Sequence, residues 1–195
     1  MRFLNSVGVG FISVFAFVSL SENLSAAQGD FAIRRIEFGY KIRSGSESIS
    51  GGFAGFGNIG GFPQKWGVIT AHFNSRPNWA DDVMFKYYVM VRNRVGKPAM
   101  LTGNVTYVSV HAGLDHNGFT FIHPNALARY GQVKRILVEI WYQGVLADSK
   151  QWPKKSAITW WNKIPAVQGT LRPRFFTPFE HDYEVREEDI KLVLP

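Results

Sequence analysis

Between Val83 and Arg92 the sequence alternates so strictly that it leaves the chain one local structure. Val83, Phe85, Tyr87, Val89 and Val91 fall on one side, and Met84, Lys86, Tyr88, Met90 and Arg92 on the other. A period of two, with β-branched and aromatic residues on one face, describes a strand with one buried side. A chain made of such strands must pack their apolar faces against one another. The pattern recurs in Arg135 to Trp141, where Ile136, Val138, Ile140 and Tyr142 point one way, and in Leu101 to His111. It recurs again in Phe31 to Ile42 and, in shorter and more mixed form, in Trp66 to Phe73. In Phe31 to Ile42 the apolar phase moves from Phe31 and Ile33 to Ile36, Phe38, Tyr40 and Ile42, so one extra residue at Arg34-Arg35 predicts a β-bulge. No segment sustains a 3.6-residue period long enough for a major helix.

The connections agree with an all-β chain. Asp115-His116-Asn117-Gly118 ends in Asn-Gly and predicts a hairpin leading into Phe119 to His123. Gln143-Gly144 predicts a turn into Val145 to Ser149, and Asp81-Asp82 suits another just before Val83. Pro124 to Gly131, with Pro first and Gly last, reads as a turn or two of helix. Seven strands and one short helix give an expected immunoglobulin-like antiparallel sandwich over residues 28–150. The chain has no cysteine, so the disulfide of antibody-type domains is absent. Thiolate chemistry and zinc–thiolate sites are excluded with it.

The ends read differently. Met1-Arg2, the 14-residue apolar run Val7 to Leu20 and the small residues Ser25-Ala26-Ala27 form an expected export signal over 1–27, with the mature chain starting at Gln28. The run is shorter than the roughly 20 residues a helix needs to span a bilayer. Removal takes Arg2 and Glu22 together, so the remaining 168 residues still net +7. From Glu180 onward six acidic residues face two basic ones, a net −4, which leaves +11 on residues 28–179. Residues 151–195 are expected to form an extended tail, aromatic and basic and then acidic, packing on the sandwich. Residues 43–64 hold seven glycines in 22 residues, with Phe53, Phe56, Ile59 and Phe62 interleaved. They make a long loop rather than a phosphate cradle, because no strand–glycine–helix context or Gly-Lys-Ser/Thr follows. Either the loop docks on the domain or its apolar side chains meet a partner.

No constellation declares an enzyme. His111, His116 and His123 match neither the helical metalloprotease pair nor a finger spacing, and His72 and His181 stand apart. Glu37, Glu139, Asp115, Asp148 and Asp81-Asp82 are the carboxylates a glycoside hydrolase would need to draw on. None has a sequence partner that singles it out. Ser44-Gly45-Ser46 lacks the context of a nucleophile elbow. The expectation is therefore no catalytic residue, no cofactor and no metal. The candidate binding residues are the aromatics Trp152, Trp160 and Trp161, set among Lys154, Lys155, Lys163, Arg172 and Arg174. Exposed rings stack on sugars, whereas buried ones would pin the tail across the sandwich and cover a sheet edge.

Val138-Glu139-Ile140-Trp141-Tyr142-Gln143-Gly144-Val145-Leu146, Trp160-Trp161 and Thr177-Pro178-Phe179-Glu180-His181-Asp182-Tyr183-Glu184, together with the leader, resemble a family of exported proteins in Akkermansia-type Verrucomicrobia. Its members are encoded beside type IV pilus-assembly proteins, and one has an immunoglobulin-like fold. The resemblance implies an outer-envelope, periplasmic or extracellular protein without catalytic residues, in pilus-associated structure, adhesion or host interaction. The partners it implies are pilus or envelope proteins or host glycoproteins. Self-association and contact with an anionic membrane surface fit the charge, whereas nucleic acid does not fit an exported chain with no reading motif. The alternative function is a carbohydrate-binding accessory module or a small glycan hydrolase.

Overall fold

The computed structural model describes residues 29–43, 64–154, 159–179 and 189–191. The expected leader (1–27), nearly all of the glycine-rich loop, Lys155 and most of the acidic end lie outside the described residues. The chain forms a β-sandwich of two sheets with one short helix. The first sheet runs β1 (Phe31–Arg43), β2 (Gln64–Ala80), β5 (Val110–Ile122), β9 (Leu171–Arg172). The second runs β10 (Asp189–Lys191), β4 (Pro98–Val108), β3 (Val83–Arg92), β6 (Gln132–Tyr142), β7 (Val145–Trp152), and β8 (Ala166–Val167) lies parallel on β4. Helix α1 (Pro124–Tyr130) joins β5 to β6 across one end.

The alternation seen in the sequence becomes the core. Val83, Phe85, Tyr87, Val89 and Val91 are each 0% exposed, as are Ile136, Val138 and Ile140 from β6. Ile69, Ala71 and Phe73 of β2 face them from the first sheet. The phase change in β1 is a register shift between Ile33 and Arg35 against β2, and it turns Ile36 and Phe38 back toward the core. Gln143 and Gly144, both at positive φ (51° and 78°), make the β6–β7 turn, and Asp81-Asp82 makes the β2–β3 turn.

Three expectations are corrected. Asn117-Gly118 is not a hairpin turn but part of β5, paired with His72 and Ala71 of β2. A Cβ on Gly118 would come within 3.1–3.2 Å of Phe85 and the Tyr87 hydroxyl, so close approach to the opposite sheet explains this glycine. The chain reverses earlier, at Ser109 (φ 59°), whose N–H donates to Asp81 Oδ1 at 2.7 Å. The single strand expected over Leu101 to His111 is therefore the end of β4, that turn and the start of β5. Likewise β2 is no short strand but reaches Ala80, with irregular pairing beyond Phe73.

Beyond Trp152 the described tail crosses the open side of the sandwich. β8 lies along β4, β9 pairs with β5, and β10 returns to β4. Leu171, 6% exposed, plugs the gap between the sheets opposite Gly103, where a Cβ would sit 2.7 Å from the Leu171 Cβ. Trp160 packs on the outer face of the second sheet with Met90, Met100 and Leu137. Phe179 packs on the outer face of the first with Trp66, Phe119 and Phe121.

Candidate functional site

The end of the sandwich that carries the β3–β4 turn and α1 holds an open groove of about 1440 Å³. Local chemistry builds its walls. Asn93 O accepts from Gly96 N at 3.0 Å, and Asn93 Oδ1 accepts from Lys97 N at 2.9 Å, a tight turn that puts Arg94 and Val95 at its tip. Gly96 supplies the positive φ of 82°. Opposite, α1 starts at His123, whose Nδ1 accepts from Asn125 N at 3.1 Å, and stops at Gly131. Gly131 has φ 92°, and a Cβ there would lie 2.2 Å from the Arg92 carbonyl oxygen. Only glycine lets the helix end rest on the last residue of β3, and that contact fixes the groove's width.

Lys65, Arg92, Arg94 and Lys134 line the groove together with the side-chain amides of Gln64, Asn93, Asn125 and Gln132, and among the described residues no carboxylate does. Lys134 Nζ donates to Gln132 Oε1 at 3.0 Å, and Lys65 Nζ sits 3.8 Å from the Tyr40 ring centroid. The charges come from three segments, β2 (Lys65), the end of β3 and the turn after it (Arg92 and Arg94) and β6 (Lys134), which is why scanning for local runs missed them. A usable signal was present: residues 64–80, 83–114 and 116–138 contain no Asp or Glu.

The candidate carboxylates sit elsewhere, and Glu37, Glu139, Asp148 and Asp81 are engaged in structure. Glu37, on the outer face of the first sheet, lies 3.0 Å from Arg35 and 3.3 Å from His72. Glu139, on the outer face of the second, accepts from Trp141 Nε1 at 2.9 Å and Tyr88 Oη at 3.3 Å. The sandwich separates these two, so they cannot flank one bond as a hydrolytic pair. Burial first, then the Glu139 carboxylate, raises the Tyr88 hydroxyl above its usual pKa. Asp148 holds β1 and Asp81 holds the Ser109 turn. The histidines also part: His111 meets Trp79, His116 meets Phe73, and His123 caps α1 beside Trp66.

The three candidate aromatics take different places. Trp160, 5% exposed, is a buried anchor and offers no open ring face; it meets Trp161 edge-on at 5.8 Å. Trp161 is half-buried beside it. Trp152, also half-buried, lies 6.1 Å from Phe38 against the main core.

Two packed sheets, covered edges and one open basic end define a β-sandwich protein with a cation-lined groove. One protein-family model matches residues 63–191, from the start of β2 to the end of β10, and the chain belongs to that family. No curated protein sequence matches the chain. Three chains of solved structures do. One is a crystal structure of a protein from Akkermansia muciniphila, 19% identical, with TM-score 0.62, covering 83% of this chain and 94% of that one. At that identity the likeness is one of fold.

Proposed function

We propose that this protein is an exported, non-enzymatic component of a bacterial cell envelope that acts by surface contact, in pilus-associated structure, adhesion or host interaction. The observation that carries the reading is the open, cation-lined groove at one end of a sandwich whose candidate carboxylates brace strands and turns. The strand order adds support for an immunoglobulin-like type: β1-β2-β5 faces β3-β6-β7 as A-B-E faces C-F-G, with β4 joined to the second sheet. The leader at 1–27 supports export, and the quoted motifs shared with the Akkermansia-type family support the envelope and the pilus neighbourhood.

Expression with the native N-terminus, fractionation and N-terminal sequencing test the address. The expected product starts at Gln28 and is found in the periplasm, the outer envelope or the medium. A chain still starting at Met1 in the cytosol would overturn the proposal. The alternative is a carbohydrate-binding accessory module or a small glycan hydrolase. Incubating the protein with polysaccharides should release no product; release abolished by Glu139→Gln or Glu37→Gln would make it an enzyme.

A further inference from the structure

We infer that the groove between the β3–β4 turn and α1 is a binding site for an acidic polysaccharide, recognised through its sulfate or carboxylate groups. The inference rests on the contact-making role proposed above, though not on the export address. Four cations from three segments, Lys65, Arg92 with Arg94, and Lys134, converge on one concavity that no described carboxylate neutralises. Holding like charges together without counter-charge raises the free energy of the empty site, and an anionic ligand relieves it. Arg92 and Arg94 are the groups suited to bidentate contact with sulfate or carboxylate. The amides of Asn93, Asn125 and Gln132 both donate and accept, as sugar hydroxyls require.

Size and shape decide between ligand classes. About 1440 Å³ exceeds the roughly 300–1,000 Å³ of small-molecule pockets, which favours several residues of a polymer over one sugar. The concavity between turn and helix admits a chain and does not match a planar bilayer. Among the described lining residues Tyr40 is the one aromatic ring, and Lys65 covers one of its faces, so the described lining offers no stacking platform of the kind single-stranded nucleic acid binders use. Charge, not ring stacking, does the recognising here.

Titration calorimetry of the purified chain with heparin, polygalacturonate, neutral dextran and phosphatidylserine vesicles tests the inference. Binding to heparin or polygalacturonate, weakening as salt rises, is expected, and whichever binds tells sulfate from carboxylate recognition. Dextran should give no heat. The double variant Arg92→Gln/Arg94→Gln should bind at least about tenfold more weakly, since each lost charge-assisted hydrogen bond is worth about that factor. Both arginines are at the exposed end of β3 or beyond it, and an unchanged melting temperature shows that the variant folds. A second variant, Lys154→Gln/Lys163→Gln, removes exposed tail cations outside the groove and should bind like the parent. Unchanged affinity in the arginine variant, loss in the tail variant, equal binding of dextran, or binding to vesicles alone would each overturn the site. None of these outcomes bears on the fractionation result, so the two proposals fail separately.

Discussion

The sandwich has two long seams where its sheets meet, and they are closed in different ways. At the β1–β7 seam, side chains from β7 hold the backbone of the β1 bulge. Asp148 Oδ2 accepts from Ile33 N at 2.6 Å, and Lys150 Nζ donates to the Ile33 and Arg34 carbonyls at 2.7 Å each. Phe31 against Tyr142 and Phe38 against Trp152 fill the space behind them. The bulge breaks the ladder, and a carboxylate and an ammonium take up the backbone groups it releases. At the β4–β5 seam one buried β4 side chain reaches across, the Tyr107 hydroxyl accepting from Phe119 N at 2.7 Å, and something else must cover the strand edges. The tail does it, through short backbone pairings, Leu171 wedged between the sheets, and Trp160 and Phe179 gripping the two outer faces. One seam is a property of the sandwich itself, and the other is lent by residues far along the chain. Weakening the second by a single substitution should therefore leave the first intact.

The largest expected effect comes from truncation after residue 158. Trp160, Leu171 and Phe179 leave together, each worth about 1.5–3 kcal/mol of burial, against a total stability of about 5–15 kcal/mol. The truncated chain should lose cooperative unfolding or aggregate, read by calorimetry and size-exclusion chromatography. A truncated chain that melts like the parent would show that the seam needs no cover.

Next, Trp160→Ala should cost about 3 kcal/mol, seen as a lower urea midpoint and as early proteolytic cleavage confined to the tail. Phe179→Ala should cost a similar amount, and the pair tells whether both outer faces are gripped equally. Gly103→Val should cost about 2 kcal/mol, because its Cβ would displace the Leu171 Cβ rather than a flexible side-chain end. The smallest effect is expected at the other seam. Lys150→Met should cost about 1 kcal/mol, since the two carbonyls it leaves can take water at a partly open edge. Hydrogen exchange should then speed up in β1 near Ile33 and nowhere in the tail. Faster exchange in the tail would join seams that are held here to be independent.

Both seams were partly legible in the sequence, the second through the reading in which buried Trp160 pins the tail across the sandwich, but its covering strands were not, for physical reasons. An extra residue shifts the apolar phase, so the bulge at Arg34-Arg35 shows in the alternation itself. The Gln143-Gly144 turn and the Pro124–Gly131 helix were equally plain, because their special backbone angles select particular residues. Asn117-Gly118 misled because a glycine can serve close packing as well as a turn, and Ser109, the residue that does turn, carries no such signature. β8 and β9, two residues each, are too short to show a period. The cation-lined groove was invisible to motif search because its four charges come from three distant stretches, around residues 65, 92–94 and 134, and meet only in the fold.

The order in which the tail adds its strands bears on how the molecule is made. A chain synthesised from its N-terminus completes β1 to β7 before Leu171 or Phe179 exists. Until then the outer edges of β4 and β5 are bare templates for any extended chain nearby. The nascent protein thus passes through a window in which it is nearly complete and most prone to pair with a neighbour. That window closes only when the last strap has been laid down.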